Sequence, residues 1–254
     1  MFRYAKSHGA KVSWLFFWRC VKRKEMKKTV ILFAVLVAWF PALLRAQTIK
    51  VPNFAVSTHP FLVNKVSFQK NAFVIELTIE NQSPNGYFCA SKHIYIQNTQ
   101  SRKKLNMTHS EGIPVCPDVY RFKWQGEKLT FKLYFPKLDT NVRYVDVIEN
   151  CNDHCFSIFG LILNRQMNTD INQGYAAFDH ADYQRAYECF KNAIEKNPAY
   201  PYGFLYANII KVLMAQNNTT EAKVWYKKLQ QRELLDKRAI LDQISKEKYF
   251  EQLK

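Results

Sequence analysis

Residues 167–200 read MNTDINQGYAAFDHADYQRAYECFKNAIEKNPAY, and the order of small and large side chains in this stretch decides the fold of the C-terminal part. Small residues stand at Gly174, Ala181, Ala186 and Ala193, aromatic ones at Tyr183 and Phe190, and a proline at Pro198. On two antiparallel helices, Gly174 and Ala186 let the backbones approach, while Tyr183 and Phe190 fill the volume that remains. Pro198 then ends the second helix, because it has no N–H and biases Asn197 away from helical angles. The pattern predicts a helical hairpin.

These seven positions at this spacing resemble the tetratricopeptide repeat, a hairpin that holds other proteins. A second hairpin resembles it more loosely, with helices over 201–216 and 219–231, Ala222 in the place of Ala186 and Tyr226 in that of Phe190. Its turn, 216–220, reads as two residues longer than the consensus. Over 233–253, Leu234, Leu235, Ile240, Leu241, Ile244, Phe250 and Leu253 recur at helical spacing and are expected to cap the stack, whose last repeat otherwise exposes an apolar face. The resemblance implies a protein-binding surface on the first helix of each hairpin. That surface consists of Asn168, Ile171, Asn172, Tyr175, Phe178 and Asp179 beside Tyr202, Leu205, Tyr206 and Ile209. It is aromatic and amide-rich, and it lacks the Lys/Arg and Asn arrangement with which some members of the family clamp a terminal carboxylate.

Upstream of about residue 165 the period changes to two. Phe73, Ile75, Leu77 and Ile79 share one strand face, with Ala72, Glu76, Thr78 and Glu80 on the other. Short apolar runs follow at 93–97, 129–135, 142–148 and 156–163, separated by turn signals such as Ser83-Pro84-Asn85-Gly86 and Gln125-Gly126. The spacing predicts an all-β antiparallel sandwich of immunoglobulin-like kind over 47–164, with about seven or eight short strands, followed by an all-α domain over 165–254. Helical crossovers between strands are missing, which argues against a doubly wound nucleotide-binding sheet. The runs Ser110-Glu111-Gly112-Ile113-Pro114, Leu133-Tyr134-Phe135-Pro136 and Val147-Ile148-Glu149 resemble those of secreted bacterial β-sandwich modules of unassigned function. Tyr134 and Phe135 read as core, and Pro136 as the end of an edge strand.

Near the start, Lys27 and Lys28 precede an uncharged run over 29–44 and then Ala46. Residues 26–46 therefore read as a secretory signal peptide cut between Ala46 and Gln47, with residues 1–25 as an extended leader or a mis-assigned start ahead of Met26. A transmembrane anchor is the alternative, but the run is short for a span and carries Pro41. The first 46 residues hold ten of the 37 basic and one of the 21 acidic residues, so removing them lowers the formal charge from +16 to +7. No Lys/Arg block is long enough for nucleic acid; Arg102-Lys103-Lys104 reads as a solvated hairpin tip. Contact with a membrane is expected only during export.

Export leaves Cys89, Cys116, Cys151, Cys155 and Cys189. In an oxidising compartment the first four allow three pairings; Cys89–Cys116 with Cys151–Cys155 is the expected one, and crossed pairings stay open. Cys189 reads as a buried free thiol. Cys151-Asn152-Asp153-His154-Cys155 has one residue too many for a thioredoxin-type motif and no second ligand pair for zinc. Glu149, Asp153 and His154 are near enough in sequence for an acid–base group, although solvated loops commonly carry such residues. No nucleophile elbow, phosphate loop or metalloprotease motif occurs, so no enzyme and no cofactor is expected. The function expected is that of an exported interaction or assembly module that binds a protein partner. A carbohydrate- or lipid-binding sandwich that presents Tyr87, Phe88, Tyr95, Tyr120, Phe122 and Trp124 is the alternative, and an envelope enzyme a more distant one.

Overall fold

Along Ala72–Glu80, Phe73, Ile75, Leu77 and Ile79 are buried while Glu76, Thr78 and Glu80 turn outward, the alternation of a sheet with one wet face. The computed structural model of the chain describes residues 47–151, 155–198 and 202–254, which fall in one unit, Ala46–Lys254. The leader and signal peptide expected over 1–46 lie outside the described residues. The strands, in chain order, are β1 (Gln47–Lys50), β2 (Val56–Ser57), β3 (Phe61–Phe68), β4 (Ala72–Glu80), β5 (Tyr87–Phe88) and β6 (Ile94–Asn98). They continue with β7 (Lys104–Asn106), β8 (His109–Glu111), β9 (Tyr120–Arg121), β10 (Lys128–Pro136), β11 (Tyr144–Glu149) and β12 (Ser157–Ile162). One five-stranded sheet has the order β1-β3-β4-β10-β8, a second has β2-β12-β11-β6-β7, and β5 pairs with β9 as a separate ribbon. All these ladders are antiparallel.

The strands outnumber the seven or eight expected because β2, β5 and β9 have two residues each and β7 and β8 three, too few to leave an alternating signature. Both sheets contribute to one buried cluster, with Ile75 and Leu77 from the first beside Ile96, Val147 and Ile158 from the second. Phe61 on β3 and Phe156 ahead of β12 close it, with ring centroids 5.0 Å apart. Phe135 is buried, as expected. Tyr134 is not core: β10 alternates, so its ring points to the outer face and stacks on His109 at 4.1 Å.

β11 does not alternate. Tyr144, Val145, Asp146 and Val147 are all buried, because one face of this strand meets the first sheet and the other meets the helices. The helices are α1 (Arg165–Asp179), α2 (Tyr183–Glu195), α3 (Gly203–Ala215), α4 (Thr219–Gln231), α5 (Lys237–Ser245) and α6 (Phe250–Leu253). Side-chain oxygens of Asn164, Asp182 and Asn218 accept backbone N–H groups of Met167, Arg185 and Glu221, capping α1, α2 and α4. The two turns have the same construction. Ala181 (φ 57°) precedes the cap Asp182, and Asn217 (φ 60°) precedes the cap Asn218. The extra length expected in the second turn is absent because Thr219 and Thr220 belong to α4.

Inside the first hairpin, Gly174 is where the helices approach: a Cβ built there would stand 2.7 Å from the ring of Phe190. Ala186, Phe190 and Ala193 are buried against α1. In the second hairpin Ala222 is buried as Ala186 is, but the large residue inside is Trp225, while Tyr226 is half-buried against Phe250. α3 is apolar except along the line of Asn208 and Lys211, and it runs through the middle of the helical part, touching α2, α4 and α5. The terminal stretch forms two helices, with Ile240, Ile244 and Leu253 buried and Leu235 exposed.

Candidate functional site

The surface expected to receive a partner is built from α1 and α3, and its residues divide into two sets. Asn168, Ile171, Tyr202, Leu205, Tyr206 and Ile209 are all buried. None of them offers an open surface on that face: Asn168 and Tyr202 are covered by the segment before β2 and the second sheet, and Tyr206 faces Trp225 of α4. The Asn168 Oδ1 accepts the backbone N–H of Asn53 at 2.7 Å and its Nδ2 at 3.0 Å, while the Asn168 Nδ2 donates to the carbonyl of Ile162 at 2.8 Å. Asn172 also accepts from Asn53 Nδ2, at 3.0 Å. The Tyr202 hydroxyl donates to the carbonyl of Gly160 at 2.9 Å, and Gly160 has no side chain to obstruct it: a Cβ there would stand 2.9 Å from the Tyr202 ring.

The second set stays at the surface. Tyr175 is 40% exposed. Its ring stands edge-on to Phe190 at 5.3 Å, and its hydroxyl accepts from Asn208 Nδ2 at 3.0 Å. Burial of the hydroxyl end pushes its pKa up, against the hydrogen bond from Asn208. Phe178 lies half-buried beneath Lys211, whose Nζ is 5.0 Å from the ring centroid, and Asp179 and Asn172 are exposed beside them. Asn208 and Lys211 were not anticipated from the sequence. Helical spacing on α3 places them four and seven residues after Phe204, but nothing in it says which of them reaches α1.

On the other side of the helices, Trp225, Tyr206, Lys228 and Arg232 border a depression of about 420 Å³. Arg232 donates to the Tyr206 hydroxyl at 2.9 Å, and Lys228 lies 4.1 Å from the Trp225 ring centroid.

In the sheet part, disulfides join Cys89 to Cys116 and Cys151 to Cys155, with Cα–Cα distances of 5.3 and 5.6 Å. Cys189 is free and half-buried rather than fully buried, and its partial burial raises the thiol pKa. Glu149 is buried, and its two oxygens accept the backbone N–H groups of Ser91 at 2.8 Å and Phe156 at 3.0 Å. That use is structural. Asp153 and His154, the other members of the acid–base group, lie outside the described residues. Among the described residues no cluster of three metal-ligating side chains occurs, and no helix is long and apolar enough to cross a membrane. Of the six aromatics considered for a stacking surface, only Tyr87 and Trp124 are exposed. Phe88, Tyr95 and Tyr120 are half-buried and Phe122 is buried.

No protein-family model, no curated protein and no solved structure matches the chain.

Proposed function

We propose that this chain is an exported interaction module, in which an immunoglobulin-like sandwich carries tetratricopeptide-like hairpins that bind a protein partner. The contact surface is the strip left open on α1 and α3: Asn172, Tyr175, Phe178 and Asp179 with Asn208 and Lys211. The observation that carries this reading is the setting of Tyr175, an exposed aromatic ring fixed at both ends by Phe190 and Asn208. A ring held in one rotamer loses little entropy on binding, and anchors of this kind concentrate the energy of protein interfaces. The two disulfides support passage through an oxidising compartment, in keeping with a signal peptide over 26–46.

The test compares the mature chain with Tyr175→Ala and with Asp179→Lys, each immobilised and exposed to the envelope fraction of its own cell. A partner retained by the parent and lost from both variants, with unchanged melting temperatures, supports the strip. An unchanged set of bound proteins overturns it.

A further inference from the structure

We infer that the cleft at the disulfide end of the two sheets is a binding site for a neutral sugar, separate from the helical strip. The cleft measures about 550 Å³, within the range of small-molecule sites. Its floor is apolar, made by Ile79, Phe88 and Phe122. Its walls are held by covalent bonds, since Cys89, Cys116 and Cys151 all line it and belong to the two disulfides.

The charges around the cleft decide the class of ligand. Glu149 spends both carboxylate oxygens on backbone N–H groups. Glu80 is paired with Lys128 at 3.5 Å. Among the described residues no Lys or Arg side chain lines the cleft. Among the described residues an anion would find no permanently charged cation there, and a cation would find only carboxylates already engaged.

The remaining polar groups suit hydroxyls. Tyr87 is 61% exposed at the rim, and its hydroxyl has no hydrogen-bond partner among the described residues. His59 uses Nδ1 with Thr58 Oγ1 at 3.1 Å, which leaves Nε2. The Asn85 side-chain amide is exposed and makes no hydrogen bond among the described residues. A purely apolar ligand would bury these three groups unpaired. A pyranose fits both demands, because its C–H face stacks on an aromatic ring while its hydroxyls both donate and accept.

The experiment is a titration of the mature, ¹⁵N-labelled protein with the methyl glycosides of glucose, galactose, mannose and N-acetylglucosamine, each to 20 mM, followed by amide shifts. At least one glycoside should move the amides of residues 85–89 and 122 in a saturable way. Tyr87→Ala should weaken that binding at least tenfold, and Tyr87→Phe should weaken it less. Both variants should keep the parent amide pattern elsewhere, since Tyr87 lies at the rim. Absence of saturable shifts with all four glycosides overturns the proposal. So does binding that Tyr87→Ala leaves unchanged, or shifts confined to α1 and α3. The helical strip is untouched by either variant, so this result and the partner-capture result can fail independently.

Discussion

The carboxylate of Asp236, at the start of α5, accepts the backbone N–H of Gly203 at 2.6 Å, so the last helical segment caps the first turn of α3 from a distance in sequence. Its second oxygen accepts from Phe204 at 2.8 Å. The Tyr202 side chain offers no such cap, and Gly203 is glycine because a Cβ there would stand 2.6 Å from Asp236 Oδ1.

Asp236→Asn should lower stability by about 1–2 kcal/mol, because a carboxyl turns an oxygen to each of the two N–H groups whether or not it is ionised, while an amide sets its NH2 donor against one of them. It should also change the pH profile. Burial, opposed by the N–H groups of Gly203, Phe204 and Asp236 itself, holds the Asp236 carboxyl above its usual range. Ionisation therefore costs more in the folded chain than in the unfolded one. The contribution is full below about pH 4 and declines as the pH rises through the shifted value. Melting curves of parent and variant from pH 3.5 to 7 should show a difference in stability that shrinks as the pH rises. A difference that grows with pH contradicts this sign.

Gly174→Ala should destabilise by about 1–2 kcal/mol, although alanine is the better helix former by about 1 kcal/mol. The ring of Phe190 is 1% exposed and Tyr175 stands against it, so it has nowhere to retreat. Phe190→Leu in the same chain should recover part of the loss. A double-mutant cycle that gives no coupling would mean that the two helices adjust without the ring.

The two disulfides should differ in worth. On chain entropy alone, Cys89–Cys116, with a separation of 27 residues, contributes about 3.5 kcal/mol, and Cys151–Cys155, with a separation of 4, about 2 kcal/mol. Denaturant unfolding of Cys89→Ser/Cys116→Ser and Cys151→Ser/Cys155→Ser should therefore rank the first as the less stable. Equal midpoints would point to residual structure in the unfolded chain.

Much of this architecture is legible in residue spacing. The alternation on β4, the turn residues and the small residues Gly174 and Ala186 announce a β-rich part followed by helices, because each acts through neighbours close in sequence. What covers a face is not legible. Helical spacing marks Asn168, Ile171, Leu205 and Ile209 as sharing one side of α1 and α3, and an open groove has the same spacing as a face already docked on a sheet. Asn53 gives no signal, since its partners lie more than a hundred residues away and an isolated asparagine reads as a turn. Trp225 and Tyr226 are adjacent, and only the rotation of α4 decides which one enters the core.

That docked face yields the sharpest test of how the two parts are joined. Asn168 accepts from Asn53 and donates to the carbonyls of Ile162 and Asn164, so its whole amide is engaged at 3% exposure. Asn168→Ala leaves the Asn53 N–H and the Ile162 carbonyl without these partners in a place with little access for water. Each orphaned group costs about 1–3 kcal/mol, and the pair should lower stability by about 2–4 kcal/mol. A cavity alone would spread its effect evenly. Loss of the junction instead predicts a local signature: amide exchange at Asn53 should rise by at least tenfold more than exchange at Ile75 or Leu77 in the sheet core. Asn168→Asp keeps an acceptor for Asn53 but loses both donations, so it should retain more protection at Asn53 than the alanine variant does. Equal protection at Asn53 in parent and Asn168→Ala would show that the junction is held without Asn168, by its apolar contacts and by bonds such as that of Tyr202 to Gly160.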